Sequence, residues 1–121
     1  MRKLVVALSL FAFCGTLATV VLAADAKPKH TIKQVMKVAM KDGLFKKVEG
    51  GKATQDEKNK LLDAFVSLLE NKPPKGDAAS WNAKGGALVV AAAKIAVGRK
   101  GAEAELKKAA NCGACHKAHK K

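Results

Sequence analysis

Apolar residues recur at helical spacing in four successive stretches of this chain. The first two stretches follow Thr31 and Thr54, which stand where helix N-caps are expected. Glu57 lies three residues after the second threonine and completes a capping box. The apolar positions of these two helices are Ile32, Val35, Met36, Ala39 and Met40, then Leu61, Leu62, Phe65, Leu68 and Leu69. No stretch alternates as a strand would, so the sequence predicts an all-α chain.

Glycine and proline pairs set the ends of the first two helices. The Asp42-Gly43 turn interrupts the first helix, residues 44–48 continue it after a kink, and the glycines at 50–51 end it. The proline pair at 73–74 ends the second helix, because proline cannot continue an α-helix.

The third helix is expected to begin at a cap formed by Asp77 or Ser80. A glycine pair at 85–86 lies inside it. This pair is either a tolerated weak point or a close approach of the backbone to a cofactor or a neighbouring helix. The apolar positions of this helix are Trp81, Leu88, Ala91, Ala92 and Ile95.

The fourth helix is expected to begin near Ala102, after a turn at 98–101, and to continue to about His119. One inward face of it would carry Ala102, Leu106, Ala109, Cys112, Gly113 and His116. Four amphipathic helices joined by short turns predict an antiparallel up-down-up-down four-helix bundle with a cofactor between facing helices.

The N-terminal residues 1–23 have the three-part pattern of a secretory signal peptide. Arg2 and Lys3 form a short basic start, an apolar run follows, and small residues end it. We expect cleavage after Ala23, with later positions up to Ala26 as alternatives. An uncleaved membrane anchor is disfavoured because the run is short and polar sequence follows at once.

The mature domain is therefore expected to span 24–121 and to be periplasmic, with no stable membrane insertion. Cys14 lies inside the apolar run and follows Phe13, so we interpret it as lost with the signal. The mature chain then keeps only Cys112 and Cys115. A disulfide between cysteines so close together would close a negligible loop and is not a framework disulfide.

These two cysteines belong to the sequence Cys112-Gly113-Ala114-Cys115-His116, which is the pattern for covalent attachment of a c-type haem. Two thiols add to the vinyl groups of the porphyrin, and the adjacent imidazole lies against one face of the iron. In a helix the three side chains share one face. The motif therefore predicts one covalent haem c with its iron.

Two other interpretations of the motif are weaker. A zinc site would add His119 to the motif, but four ligands on one helix cannot readily surround one ion. A redox dithiol normally starts a helix after a strand, whereas Cys112 and Cys115 are expected at the end of a helix. No arrangement of catalytic side chains stands out, so we expect no enzyme.

The chain resembles the class II cytochromes c, the cytochrome c′ family. The resemblance covers the layout of the mature chain, the motif Cys112 to His116 and, more weakly, residues 32–40. It implies that Cys112 and Cys115 bind the haem and that His116 is the proximal iron ligand. Family members often form dimers through their first two helices, so the resemblance also suggests a homodimer. His119 departs from the family pattern, which often has an aromatic residue there.

The resemblance places the group on the other face of the iron in the first helix. High-spin family members carry a non-ligating residue there, and low-spin members carry a methionine ligand. This chain has Met36 at that place, with Met40 one turn further on. Ordinary core packing is the alternative role for both. We expect Met36 as the sixth ligand, with Met40 and an open sixth site as alternatives.

The charge of the chain bears on its partners. It has 23 basic and 10 acidic residues, and loss of Arg2 and Lys3 would leave a formal net charge of +11. Nucleic acid is disfavoured by export and by the lack of tyrosine beside a single tryptophan. One interpretation is that the basic side chains only keep the surface hydrated. The other, which we expect, is that they steer an acidic redox partner protein toward the haem.

Three functions follow from these features. A low-spin haem with His/Met ligation would carry single electrons, which is the function we expect. An open sixth site would instead bind small gases such as nitric oxide or carbon monoxide. A metal-binding or redox-thiol protein without haem is the third class, and the mass of the mature chain distinguishes it.

Overall fold

The structure is a computed structural model that describes residues 27–121. The predicted signal peptide lies outside these residues. The helices are α1 (Ile32–Met36), a π-helical turn (Lys37–Lys41), α2 (Leu44–Glu49), α3 (Gln55–Glu70), α4 (Ala78–Ala96), α5 (Ala102–Ala109) and α6 (Cys112–His119). Residues 27–121 contain no strand, which confirms the all-α prediction. None of their helices is long and apolar enough to cross a membrane.

Side-chain caps begin the helices where the sequence places them. The Thr31 side chain accepts from the Gln34 amide and α1 starts with a full capping box. The Thr54 and Glu57 box is also formed, with the Thr54 amide donating to Glu57 at 2.8 Å. Asp77, rather than Ser80, caps α4, because its carboxylate accepts from the Ser80 amide. Each cap satisfies backbone donors that a helix start leaves without a partner.

The core is centred on α3 and α4, which pack along each other. The helices α1 and α2 lie against α3, while α5 lies against α4 and α2. Leu61 and Phe65 of α3 are completely buried, as is Leu106 of α5. The predicted apolar positions of the third helix are all buried: Trp81, Leu88, Ala91, Ala92 and Ile95. Burial of these side chains is the main stabilising contribution to the fold.

The first predicted helix is more finely divided than its sequence indicates. The predicted break at 42–43 is confirmed, and Gly43 adopts a left-handed conformation with φ of 78°. The π-helical turn that follows α1 was not predicted. Such turns add a residue to a helix and often occur at functional sites.

The prediction of a continuous last helix from 102 to 119 is wrong. The backbone leaves the helical conformation at Ala110 and Asn111, with ψ of 54° and 83°. Asn111 then caps a new helix, since its side chain accepts from the Ala114 amide at 3.0 Å. Asparagine is favoured at this N-cap position because its short side chain accepts a hydrogen bond from a backbone amide that has no partner within the helix. The six α-helices therefore replace four predicted ones.

The break also changes the expected inward face. Ala102 and Leu106 are completely buried, as predicted, and Ala109 is partly buried. Cys112, Gly113 and His116 are exposed, so the buried part of the predicted face ends near Ala109.

The two glycines inside α4 have different environments. A Cβ atom on Gly85 would lie 2.5 Å from Cδ2 of Leu69 on α3, whereas one on Gly86 would have no atom within 4 Å. Of the two interpretations of this pair, Gly85 fits a close approach to a neighbouring helix. Gly86 fits a tolerated weak point.

This difference predicts unequal effects of alanine at the two positions. Gly86→Ala should raise the free energy of unfolding by about 0.5–1 kcal/mol, because alanine favours a helix and nothing obstructs it. Gly85→Ala should fall short of that gain, because Leu69 must move away from α4. Chemical denaturation of both variants measures the difference. Equal gains would contradict the close packing of α3 and α4.

Candidate cofactor groove

Residues from the first and the last helices line one cavity of about 90 Å³. Met36 and Met40 come from α1 and the π-helical turn, and Cys112, Cys115 and His116 come from α6. The other lining residues are Leu68, Lys84, Leu88, Ala109, Ala110, Asn111 and Ala114. The fold therefore brings together every site residue that the sequence predicts.

A wider cavity of about 570 Å³ adjoins the first one. Five residues line both: Met36, Met40, Leu68, Cys115 and His116. The two cavities are therefore neighbouring parts of one groove, which we call the motif groove. The wider part is also lined by Ile32, Lys33, Lys41, Pro74, Trp81, His119, Lys120 and Lys121.

The three motif side chains lie in the first five positions of α6. Cys112 is exposed and its thiol lies 3.6 Å from the Ala110 carbonyl, toward which it donates. Cys115 is half-buried, and His116 is exposed while lining both parts of the groove. The spacing of three and four residues places all three on one side of the helix, as predicted.

Both methionines reach the groove. Val35 of α1 and Ala39 of the π-helical turn are buried in the core. Each is followed in the chain by a half-buried methionine. Met36 and Met40 each line both parts of the groove, so the lining of the groove does not separate them. Two thioethers therefore face the same space as the motif.

The two cysteines differ in their surroundings. Burial raises the pKa of the Cys115 thiol, and the nearby positive charge of Lys84 opposes this effect. Lys84 is held in place by a hydrogen bond from its Nζ to Ser80 Oγ at 3.1 Å. Cys115 therefore carries less thiolate than an ordinary cysteine near neutral pH.

Both ring nitrogens of His119 are engaged by residues outside the motif. It is only 2% exposed, its Nδ1 lies 3.0 Å from the Lys75 carbonyl oxygen, and its Nε2 lies 3.2 Å from Ser80 Oγ. These bonds occupy both ring nitrogens. Among residues 27–121 no three His, Cys, Asp or Glu side chains are grouped to hold a metal ion. The zinc interpretation therefore loses its fourth ligand.

Positive charge is concentrated at the wider part of the groove. Four lysines line it and no carboxylate does. Within the described residues, these lysines take part in none of the ion pairs. Those ion pairs join Asp42, Glu49, Glu57, Asp63 and Glu105 to lysines or to His30 elsewhere.

Sequence reasoning missed three residues of this region. Asn111 starts the motif helix, and its cap position was the available signal. Lys84 and Ser80 join the groove to His119 through side-chain hydrogen bonds. The Ser80–His119 contact joins residues on separate helices, so no local pattern reveals it.

The surroundings of the two cysteines predict unequal reactivity in the chain produced without export. Cys112 should be alkylated several times faster than Cys115, because Cys115 is less exposed and its raised pKa lowers its thiolate fraction. Iodoacetamide labelling near pH 8, followed by peptide mass spectrometry, measures both rates. Equal rates that match those in denaturant would contradict the folded groove.

Comparison of the chain with protein-family models, with curated protein sequences and with solved structures finds no match. The function proposed below rests on the residues and geometry of this chain.

Proposed function

We propose that this protein is an exported c-type cytochrome that carries single electrons. Cys112 and Cys115 would bind one haem covalently, and His116 and Met36 would be the two iron ligands. The observation that carries the proposal is that methionines of the first helix line one groove with the haem-attachment motif of the last. The proposal keeps the resemblance to class II cytochromes c, the antiparallel four-helix arrangement and the periplasmic location.

The chemistry of the groove fits a haem. Two thiols and an imidazole stand at the spacing that thioether attachment and proximal ligation require. Thioethers from another helix reach the same space, and Leu68, Leu88 and Ala109 supply apolar surface for a porphyrin. A haem bound there would supply a one-electron ferric/ferrous couple whose potential a methionine ligand raises.

The residues of the chain divide the remaining tasks. The exposed thiol of Cys112 is accessible for covalent attachment, while Cys115 lies deeper and joins the apolar lining. Leu68 and Leu88 exclude water from part of the groove. His116 and Met36 would hold their positions in both oxidation states because each belongs to a helix. Little rearrangement would then accompany the gain or loss of an electron.

The lysines of the wider groove indicate the partner. Lys33, Lys41, Lys120 and Lys121 line it, and no Asp or Glu among the described residues does. An acidic redox protein would therefore be attracted to the side of the molecule where the motif lies. The net positive charge of the whole chain acts in the same direction.

One observation favours a second function, that of a redox-dithiol protein without haem. Cys112 is the first residue of α6, whereas the sequence suggested that the cysteine pair lies at the end of a helix. A thiol at a helix N-terminus is the arrangement of redox dithiols. The raised pKa of Cys115 and the nearby thioethers favour the haem. Intact mass of the exported protein decides between the two, since only the cytochrome carries the mass of a haem.

The proposal predicts different effects of alanine at the two methionines. Met36→Ala should abolish the methionine-to-iron charge-transfer band of the ferric protein and make its iron high-spin, because the sixth ligand is lost. Met40→Ala is the matched control and should keep the band. Optical spectra of both oxidation states measure this. A band that survives in Met36→Ala and disappears in Met40→Ala would assign the ligand to Met40. An unchanged high-spin spectrum in all three proteins would favour gas binding.

The lysine groove predicts a position-dependent effect of charge. Reversing Lys33 and Lys120 to glutamate should slow electron exchange with an anionic iron complex about tenfold at low ionic strength. Reversing Lys52 and Lys100, which are exposed and lie outside the groove, changes the net charge equally and should slow it less. Stopped-flow absorbance measures both rates. The difference should vanish near 1 M salt, where the screening length is about 3 Å.

A further inference from the structure

The helix that carries the motif has few other supports. It is eight residues long and follows the break at Ala110 and Asn111. Among the described helices, α6 contacts only α4. Short helices are marginal in isolation, so a specific contact must fix its orientation.

His119, the last residue of α6, makes that contact. Its Nδ1–H donates to the Lys75 carbonyl oxygen at 3.0 Å, which leaves Nε2 to accept from the Ser80 hydroxyl at 3.2 Å. The ring is almost fully buried and lies edge-on to Trp81, with the ring centroids 5.4 Å apart. The end of α6 is therefore tied to the α3–α4 connection and to α4 itself.

Trp81, which packs against His119, is itself held by a hydrogen bond. Trp81 Nε1 donates to the Asn71 carbonyl oxygen at 2.9 Å. The Asn71 side chain donates to the carbonyl oxygens of Ser67 and His30, at 2.7 and 2.8 Å. The contact thus joins α6 to the ends of α3 and α4 and to the segment before α1.

The α3–α4 connection fits closely around this histidine. Gly76 has φ of 82°, and a Cβ atom there would lie 2.5 Å from the Ala118 carbonyl oxygen and 2.9 Å from His119 Nδ1. Only glycine allows the connection to approach the end of α6 in this way.

We propose that His119 is a positioning residue, which fixes the angle of α6 and so holds Cys115 and His116 in the same groove as Met36. The effect of His119 on the positions of the haem-binding residues rests on the proposed function. The anchoring of α6 does not, because it follows from the contacts of the chain alone.

The test replaces the hydrogen bonds while keeping the ring. His119→Phe retains an aromatic edge against Trp81 and loses both ring nitrogens. In the full chain isolated after export, amide hydrogen exchange in 112–119 should be about tenfold faster, because two hydrogen bonds are lost. Exchange in the centres of α3 and α4 should not change. His30→Phe is the matched control and should leave α6 unchanged, because the His30 side chain lies outside the groove and only its backbone carbonyl contacts Asn71.

A second pair of variants disturbs the same contact from the other side. Gly76→Ala should also speed exchange in α6, because its Cβ displaces Ala118 and His119. Gly51→Ala carries the same backbone cost at φ of 69° but meets no atom within 4 Å, so α6 should be unaffected. If His119→Phe fails to fold, this pair decides the question.

The outcomes separate the anchor from the haem. In a haem-loaded protein, His119→Phe should also weaken the methionine-to-iron charge-transfer band, which a purely distant structural change would leave intact. Faster exchange in a protein without haem would support the anchor and contradict the proposed function. Unchanged exchange in both His119→Phe and Gly76→Ala would overturn the anchor.

Discussion

The packing of α3 against α4 is the constraint on which the groove depends. The first helix lies on α3 and the motif helix lies on α4, so the separation of these two central helices sets the width between methionines and motif. Gly85 lets the α4 backbone approach Leu69 of α3. Leu61 and Phe65 of α3 are completely buried in the same core. Because protein cores are close-packed, a change there moves both sides of the groove.

The sequence predicted the parts of the fold that local chemistry determines. Thr31 and Thr54 start helices because their hydroxyl groups accept from amides three residues away. The motif was recognisable because its five residues are contiguous. The break before Cys112 was not predicted, since the alanine-rich stretch before Asn111 contains no glycine or proline. There, one asparagine side chain competes with the helical conformation, and tertiary packing decides the result.

The groove brings together a solvent-exposed part and a buried part of the chain. Cys112 and His116 stand on a short helix that exposes them to solvent, while the thioethers lie on a segment whose neighbours Val35 and Ala39 are fully buried. The burial of His119 was equally invisible in the sequence, because its partners Lys75 and Ser80 lie about forty residues earlier. Contacts between residues so far apart leave no pattern in the sequence. They nevertheless orient the motif side chains, which the sequence does identify.

The division of the last helix at Ala110 and Asn111 has a consequence for how the C-terminal part of the chain opens. A continuous helix would fray into α5 and disturb Leu106 in the core, whereas a separate α6 can open as an independent cooperative unit. Its opening costs the contacts to α4 and the bonds of His119, and it leaves α3, α4 and α5 packed. Chemistry at the two thiols and folding of the core are thereby separable in time.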